Sequence, residues 1–183
     1  MSDFDEAYED DEAVFGDPYP ALIETLRERS PGRLLDLGCG QGRNAVALAA
    51  LGYEVTAVDA SVVGVEQTTR AATDKGLTVQ GVVADLAGYR IESAYDVVVM
   101  DMVLHSFDDE ADRHRILDQI ASGVAPGGVV YVVVPEPGPL VAELEAAFAP
   151  WPRTVTSIRH RLTSGEHAGE YTFTAFIAER TAP

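Results

Sequence analysis

The sequence is poor in cysteine, in lysine and in long apolar runs, and each shortage excludes a class of protein. Its 183 residues contain one cysteine, Cys39, so the chain cannot form a disulfide within itself. No apolar run approaches the roughly 20 residues that a membrane-spanning helix needs. The acidic N-terminal stretch also lacks the basic and apolar segments of a secretory signal. We therefore expect a cytoplasmic protein with no membrane partner.

Positive charge is also scarce, because 30 acidic residues stand against 13 basic ones, among which Lys75 is the single lysine. The formal net charge of −17 repels nucleic acids and anionic membranes, so we expect neither as a main partner. An acid excess with almost no lysine is typical of proteins from salt-loving microbes, although a genome rich in G and C would also replace lysine by arginine. Seven acids lie between Ser2 and Glu12. We expect residues 1–12 to be a solvated, flexible tail and residues 13–183 to form a single domain.

Apolar runs and helical patterns alternate along most of the chain. Strands are predicted at residues 33–37, 54–58, 78–83, 95–100 and 129–134, and helices at 44–51, 61–75, 109–122 and 140–148. Asp17 and Pro18 predict the start of an earlier helix, as cap and first helical residue. The central apolar runs suit a parallel sheet that is buried on both faces. The last two runs, residues 153–162 and 170–178, have no helix between them and should pair antiparallel.

The most informative stretch is residues 34–44, where apolar residues run into an acid and three alternating glycines (LLDLGCGQGRN). This pattern predicts a strand, a tight turn and a helix start, and glycines there let a ligand approach the backbone at the carboxyl end of the strand. A dinucleotide-binding turn has the spacing G-x-G-x-x-G, whereas here Arg43 stands at the position of the third glycine. Asp36, just ahead of the turn, would repel a pyrophosphate and would suit a cationic or amine-bearing ligand.

Two further carboxylates stand where the next predicted strands end. Asp59 follows the second strand, where a carboxylate can accept hydrogen bonds from the hydroxyls of a ribose. Asp85 follows the third strand. Because the carboxyl ends of neighbouring parallel strands meet at one edge, we expect Asp36, Asp59 and Asp85 to converge on one crevice. A surface acid or a helix cap would explain each one alone, and NAD-binding sites use the same acid as Asp59.

Together these residues resemble the motifs of class I methyltransferases, which use S-adenosylmethionine. The resemblance implies a Rossmann-like, doubly wound α/β fold whose seven-stranded sheet is mostly parallel and ends in an antiparallel C-terminal hairpin. It also implies that Asp36 and the glycine turn hold the methionine part of the cofactor, Asp59 the ribose and Asp85 the adenine. The cofactor-binding residues that it assigns are Asp36, Gly38, Cys39, Gly40, Arg43, Asn44, Asp59, Ala60, Ser61, Asp85, Leu86 and Asp101.

The short length, residues 42–44 (GRN) and residues 52–55 (GYEV) further resemble the tellurite-resistance methyltransferase group. Proteins of that group have a His-Arg pair at the start of the final hairpin, and His160 with Arg161 falls near that place. A pair of cations there could attract an oxyanion substrate. A solvated strand face explains the two residues equally well.

Asp101 and His105 follow the fourth strand, at a position that in this family borders both the cofactor and the substrate. His105 is a candidate general base because an imidazole titrates near neutrality, and Asp101 is a candidate to steady the cofactor's ammonium or to contact the substrate. Ordinary packing would explain His105 as well. Tyr19, Phe15 and Trp151 are candidates for the wall of a substrate pocket, although core packing is the alternative for each.

The resemblance implies methyl transfer to a small molecule through an N, O, S or metalloid nucleophile. Two rival functions are a non-catalytic S-adenosylmethionine-binding sensor or partner subunit, and an NAD-dependent oxidoreductase. We predict no metal site, because Glu166 and His167 provide one loop histidine beside one acid. The sequence is compatible with a monomer or a homodimer.

Overall fold

Valine-rich runs build the centre of a seven-stranded sheet in the computed structural model, which describes residues 4–10, 16–162 and 169–182. The strands are β1 (Arg33–Leu37), β2 (Glu54–Asp59), β3 (Val79–Val83), β4 (Tyr95–Asp101), β5 (Val124–Pro135), β6 (Arg153–Leu162) and β7 (Gly169–Glu179). Their order is β3-β2-β1-β4-β5-β7-β6, and β7 runs antiparallel to both of its neighbours while the other pairs are parallel. The predicted Rossmann-like sheet with an antiparallel C-terminal hairpin is confirmed.

Helices cover both faces of this sheet, as the continuous apolar strands require. They are α1 (Asp5–Asp10), α2 (Pro20–Arg27), α3 (Arg43–Ala50), α4 (Val62–Asp74), α5 (Glu110–Gly123) and α6 (Leu140–Ala147), with a 3₁₀ turn at Leu104–Ser106. Alternate residues of each strand pack into two hydrophobic cores, one on each face of the sheet. Leu34 and Val97 face α2, α3 and α4, whereas Leu35 and Val98 face α5 and α6. None of the helices in the described part of the chain has both the length and the apolar character that a membrane crossing requires.

Most predicted elements agree with the observed ones to within one or two residues, because local signals set their ends. The hydroxyl of Ser61 accepts a hydrogen bond from the backbone N–H of Gly64 at 2.9 Å, so Ser61 caps α4 as predicted. Gly76 follows the C-cap of α4 with a φ of +69°. The predicted cap at Asp17 is wrong: α2 begins at Pro20, whose missing N–H costs nothing in a first turn.

The acidic N-terminal stretch differs from the predicted flexible tail, since residues Asp5–Asp10 form α1, which packs against α4. Asp5 and Tyr8 are buried there. The Ser61 hydroxyl donates to Asp5 Oδ1 at 2.5 Å, and Gln67 Nε2 donates to the Tyr8 carbonyl at 2.7 Å. These hydrogen bonds offset the cost of burying polar groups. The rest of the predicted tail lies outside the described residues, and the single domain over residues 13–183 stays a prediction.

Candidate cofactor and substrate site

The carboxyl ends of the parallel strands open into one cavity of about 730 Å³. Open α/β sheets bind their ligands at this edge, and the volume is in the range of small-molecule sites. We call residues 38–42 with Asp59 and Asp85 the turn end of the cavity, and Tyr19, Glu136, His160, Tyr171 and Phe173 its hairpin end. The predicted site residues that line the cavity are Tyr19, Gly38, Cys39, Gly40, Arg43, Asn44, Asp59, Ala60, Asp85, Leu86, Asp101, His105 and His160.

The glycine turn at the turn end is tied to the neighbouring strand by its backbone. The N–H groups of Gly38 and Cys39 both donate to the carbonyl of Val58, at 2.8 and 3.0 Å. Gly38 has a φ of +78°, and a Cβ on it would lie 2.2 Å from a methyl of Val103. Only glycine fits that position without displacing the wall of the cavity. Burial raises the pKa of the Cys39 thiol, which therefore stays protonated beside the turn.

Asp59 is almost fully buried and holds the turn in place through both carboxylate oxygens. Its Oδ2 accepts from the backbone N–H of Gly40 and its Oδ1 from that of Ser61, each at 2.8 Å. An ionised carboxylate has about four acceptor positions, so two remain for hydroxyls of a ligand in the cavity. Asp59 thus joins the glycine turn to the end of β2 and offers acceptors to the same space.

Asp85 lies on the far side of the turn end and is exposed to solvent. Its Oδ1 accepts from the backbone N–H of Ala87 at 3.0 Å, which fixes the loop after β3. The N–H of Ala84 donates to the Asp59 carbonyl at 2.8 Å, so the ends of β2 and β3 stay side by side. The turn end therefore carries two carboxylates on adjacent strand ends.

A buried polar cluster lies beneath the middle of the cavity. Asp101 forms an ion pair with Arg43 and accepts from Asn44 Nδ2 at 2.8 Å. Burial, together with the nearby carboxylates of Asp101 and Asp59, raises the pKa of Asp36 to about 7. Asp36 Oδ2, Asn44 Oδ1 and Asp101 Oδ1 are buried acceptors that receive no hydrogen bond within the described structure. Buried acceptors without donors cost free energy, so this cluster suits a ligand with N–H donors or positive charge.

Aromatic side chains form the wall of the hairpin end. The ring of Tyr19 lies 4.7 Å from that of His160 and 5.9 Å from that of Phe173, and Tyr171 stacks on Phe173 at 6.1 Å. The guanidinium of Arg43 lies over the Tyr19 ring, 4.8 Å from its centroid. Burial raises the pKa of Tyr19, so its phenol stays protonated. This wall is aromatic and mainly apolar, with Tyr19 edge-on to His160 and Phe173, which favours a ligand with an apolar part.

His105 lies on the 3₁₀ turn after β4 and lines the cavity. Partial burial lowers its pKa, so the imidazole is neutral at pH 7 and can accept a proton. Met102, between Asp101 and this turn, has a φ of +56°, a left-handed conformation that is rare outside glycine. Such strain often marks a functional segment. The catalytic roles of Asp101 and His105 stay predictions.

Three predicted residues do not line the cavity. Asp36 is buried under it, and Ser61 is fully buried because its hydroxyl is used by Asp5 and by the start of α4. Trp151 packs on Phe148, with ring centroids 5.2 Å apart, so core packing is its role and the alternative of a pocket wall is excluded. Phe15, Glu166 and His167 lie outside the described residues, as does the side chain of Arg161.

Several lining residues were missed by the sequence analysis. They are Phe4, Tyr8, Gly16, Gln41, Met102, Val103, Ser106, Phe107, Pro135, Glu136, Tyr171, Thr172 and Phe173. Glu136 directly follows β5, so the rule that selected Asp59 and Asp85 applies to it as well. Phe4 and Tyr8 are four residues apart, which places them on one side of a helix, but the surrounding acids hid this pattern.

Comparison with known proteins settles the family, because the profile of a methyltransferase domain matches residues 11–175. The chain belongs to this methyltransferase family. Over 91 residues it is 32% identical to the probable S-adenosyl-L-methionine-dependent methyltransferase TehB of Haemophilus influenzae. The aligned residues cover 50% of this chain and 30% of that protein. Over 124 residues it is 32% identical to the ribosomal RNA small subunit methyltransferase C of Alcanivorax borkumensis, covering 65% of this chain and 37% of that protein.

The crystal structure of TehB from Haemophilus influenzae superposes with a TM-score of 0.76 at 23% identity, over 97% of this chain and 66% of that chain. This likeness shows a shared fold. The family predicted from the glycine turn and the likeness to the tellurite-resistance group are both confirmed. The chain spans about a third of the length of the two relatives named above.

Proposed function

We propose that this chain transfers a methyl group from S-adenosylmethionine to a small-molecule acceptor. One observation carries the proposal: a glycine turn, a hydroxyl-accepting carboxylate and a cluster of buried acceptors without donors surround the same cavity. The carboxylate suits the ribose diol of the cofactor and the buried acceptors suit its ammonium, while the glycine turn leaves backbone at the cavity wall. When bound, the cofactor supplies an electrophilic methyl group on a sulfonium.

The residues present fit this cofactor at the turn end. Gly38 and Gly40 both line the cavity, and an added Cβ on Gly40 would lie 2.9 Å from the Tyr8 hydroxyl, so the wall here is built from backbone. In the proposal, Asp59 accepts from the ribose hydroxyls, while Asp85 and the Leu86 backbone receive the adenine. Asp101, Asn44 and Asp36 would hold the ammonium, because each has one buried oxygen that receives no hydrogen bond in the described structure. A pyrophosphate would meet these same carboxylates, which counts against an NAD-dependent oxidoreductase.

The protein's own contribution is alignment and exclusion of water. Holding the two reacting groups in line can supply a large part of the rate enhancement. Phe4 and Tyr8 line the turn end, and the Tyr19 ring, edge-on to His160 and Phe173, lines the hairpin end. His105, neutral at pH 7, accepts a proton if the acceptor must lose one.

The features of the cavity support a small molecule as the acceptor. The cavity is lined by the carboxylates Asp59, Asp85 and Glu136, which would repel the phosphates of an RNA, as would the net charge of −17. One relative is named for ribosomal RNA, so RNA is the rival acceptor to be tested.

Calorimetry with S-adenosylmethionine tests the cofactor assignment. We expect micromolar affinity for the wild type and a loss of about 100-fold in Asp59→Ala, because the carboxylate holds the turn and accepts from the ligand. Asp74→Ala on the exposed end of α4 makes the same change of charge and should leave the affinity unchanged. Unchanged affinity in Asp59→Ala would remove that residue from the site.

Labelled cofactor then distinguishes the functions. Transfer of label into a small-molecule extract supports the proposal, whereas transfer into ribosomal RNA would replace it. A protein that binds the cofactor and labels neither pool is a sensor or a partner subunit. A preference for NAD in competition with S-adenosylmethionine would favour the oxidoreductase.

A further inference from the structure

We infer that Tyr131 is a positioning residue of the cofactor site. Its buried hydroxyl hydrogen-bonds to Asp101, directly or through one water, and so orients the carboxylate that receives the cofactor's ammonium. The inference rests on the proposed function, because it deepens the assignment of that same site. Three observations carry it: the hydroxyl has no partner among the described residues, the sheet register places it on the same face as Asp101, and Asp101 has one buried oxygen without a donor.

Tyr131 is a fully buried tyrosine in the middle of β5. A buried phenol usually finds a hydrogen-bond partner, because an unpaired hydroxyl away from water costs free energy. The Tyr131 hydroxyl has none among the described residues, whereas that of the buried Tyr53 donates to the Leu26 carbonyl at 2.8 Å. Phenylalanine would serve the packing of the core better than Tyr131 does, so the hydroxyl needs an explanation of its own.

The register of the sheet brings this hydroxyl toward the buried polar cluster under the cavity. Val99 on β4 pairs with Asp36 on one side and with Tyr131 on the other. Asp101 lies two residues beyond Val99, so its side chain points to the same face of the sheet and is a diagonal neighbour of Tyr131. Burial, and then the nearby charge of Asp101, raises the pKa of Tyr131, so the phenol stays protonated and can donate.

Asp101 has one carboxylate oxygen in use and one without a donor. Arg43 and Asn44 both donate to its Oδ2. Its Oδ1 is buried and receives no hydrogen bond in the described structure. The other buried atoms in the same position are oxygens of Asp36 and Asn44, and an ionised carboxylate or an amide oxygen only accepts. The Tyr131 hydroxyl is therefore the donor in this set, and an ordered water can carry its hydrogen bond where direct contact does not.

A fixed direction of the Asp101 carboxylate matters for the ammonium of the cofactor. A carboxylate held through both oxygens loses less freedom on binding than one held through a single oxygen. The effect is confined to ligands that carry the ammonium, because the proposal assigns the ribose and the adenine to Asp59 and Asp85. Tyr131 thus differs from a packing residue in a way that two ligands can reveal.

Two nucleosides that differ in the amino-acid end test the inference. S-adenosylhomocysteine carries the ammonium, whereas 5′-methylthioadenosine has the same thioether nucleoside and ends in a methyl group. We expect the wild type to bind S-adenosylhomocysteine about 100-fold more tightly in calorimetry, as for about two hydrogen bonds to charged groups. Tyr131→Phe should cut this preference about tenfold by weakening S-adenosylhomocysteine alone. Chemical denaturation should show the free variant to be as stable as the wild type or more stable, because an unpaired hydroxyl has been removed.

Tyr53→Phe is the matched control, because it removes the hydroxyl of another buried tyrosine. That hydroxyl bonds Leu26, and neither residue is among the described lining residues of the cavity. The control should lose stability and keep the full preference. Asp101→Asn tests the route of the effect: if Tyr131 acts through Asp101, adding Tyr131→Phe to Asp101→Asn should change the preference by less than about twofold.

A preference that survives in Tyr131→Phe, an equal loss of affinity for both ligands, or an effect that adds in full to that of Asp101→Asn would overturn the inference. Equal binding of both ligands to the wild type would overturn it too, because the amino-acid end would then have no site. In each of these cases S-adenosylhomocysteine still binds, so the cofactor assignment stands. If neither ligand binds, the proposed function fails and the inference fails with it.

Discussion

The two ends of the cavity are built in different ways. At the turn end the backbone dominates: Gly38 and Cys39 are bonded to the carbonyl of Val58, and the Asp59 side chain bonds backbone N–H groups. At the hairpin end the wall consists of side chains, such as Tyr171 and Phe173, whose positions follow from strand register. A backbone site tolerates little change of sequence, whereas a side-chain wall can be altered while the strands remain. Within one fold, the turn end can therefore keep one ligand while the hairpin end changes its partner.

The strongest test of this contrast is Gly38→Ala at the turn end. The added Cβ meets Val103 at 2.2 Å in a left-handed backbone, so we expect about 2–3 kcal/mol of destabilisation and at least about 100-fold weaker cofactor binding. Chemical denaturation and calorimetry measure the two effects. Gly76→Ala is the matched control, because Gly76 has a φ of +69° and no atom within 4 Å of the added Cβ. It should lose stability without losing affinity. Normal cofactor affinity in Gly38→Ala would contradict a backbone-built turn end.

A smaller effect is expected from Tyr8→Ala, which asks whether the turn end also depends on side chains. Tyr8 is buried beside Gly40, so its removal opens the turn end to water and should weaken cofactor binding about tenfold. Tyr8→Phe keeps the ring and should stay within about twofold of the wild type. Equal affinities in all three proteins would show that α1 makes no contribution to binding.

A third test concerns the buried charge of Asp36, which affects stability and its dependence on pH. Because burial raises its pKa to about 7, the folded protein binds more protons than the unfolded chain between about pH 4 and about pH 7. Stability from this group is complete below the lower value and is lost as the pH rises through the higher one. Asp36→Asn should remove a decline on the order of 1–3 kcal/mol, seen by chemical denaturation across this range.

Asp74→Asn is the control for that profile, since Asp74 is exposed at the end of α4. It should keep the decline of the wild type. If Asp36→Asn and the wild type lose stability in parallel over the same pH range, the burial of the Asp36 carboxylate is not the cause of the decline.

Prediction from sequence worked best where a local signal sets the geometry. Asp59 and Asp85 were found because each ends an apolar run, and Ser61 because it precedes a helical pattern. Glu136 also follows a strand, but the direction of its side chain depends on a hydrogen bond from Ser157 on β6. The pairing of β6 with β7 joins segments that no local sequence pattern identifies as partners.

The prediction for the N-terminal segment differs from the structure for a different reason. Its acids satisfy the composition rule for a solvated tail, and two aromatic residues four apart are too short a pattern to oppose that rule. What holds α1 is tertiary: Asp5 bonds Ser61, and the Tyr8 carbonyl bonds Gln67. Helix propensity and charge alone do not predict which distant residues will bond to this segment.

The attachment of α1 also bears on how a ligand enters and leaves the cavity. The helix has six residues, and side-chain hydrogen bonds together with one buried ring fasten it to α4. Releasing so few contacts takes only a small share of the free energy that holds the sheet together. We therefore expect α1 to open locally at a lower free energy than the sheet, which would admit a ligand to the turn end without unfolding of the strands.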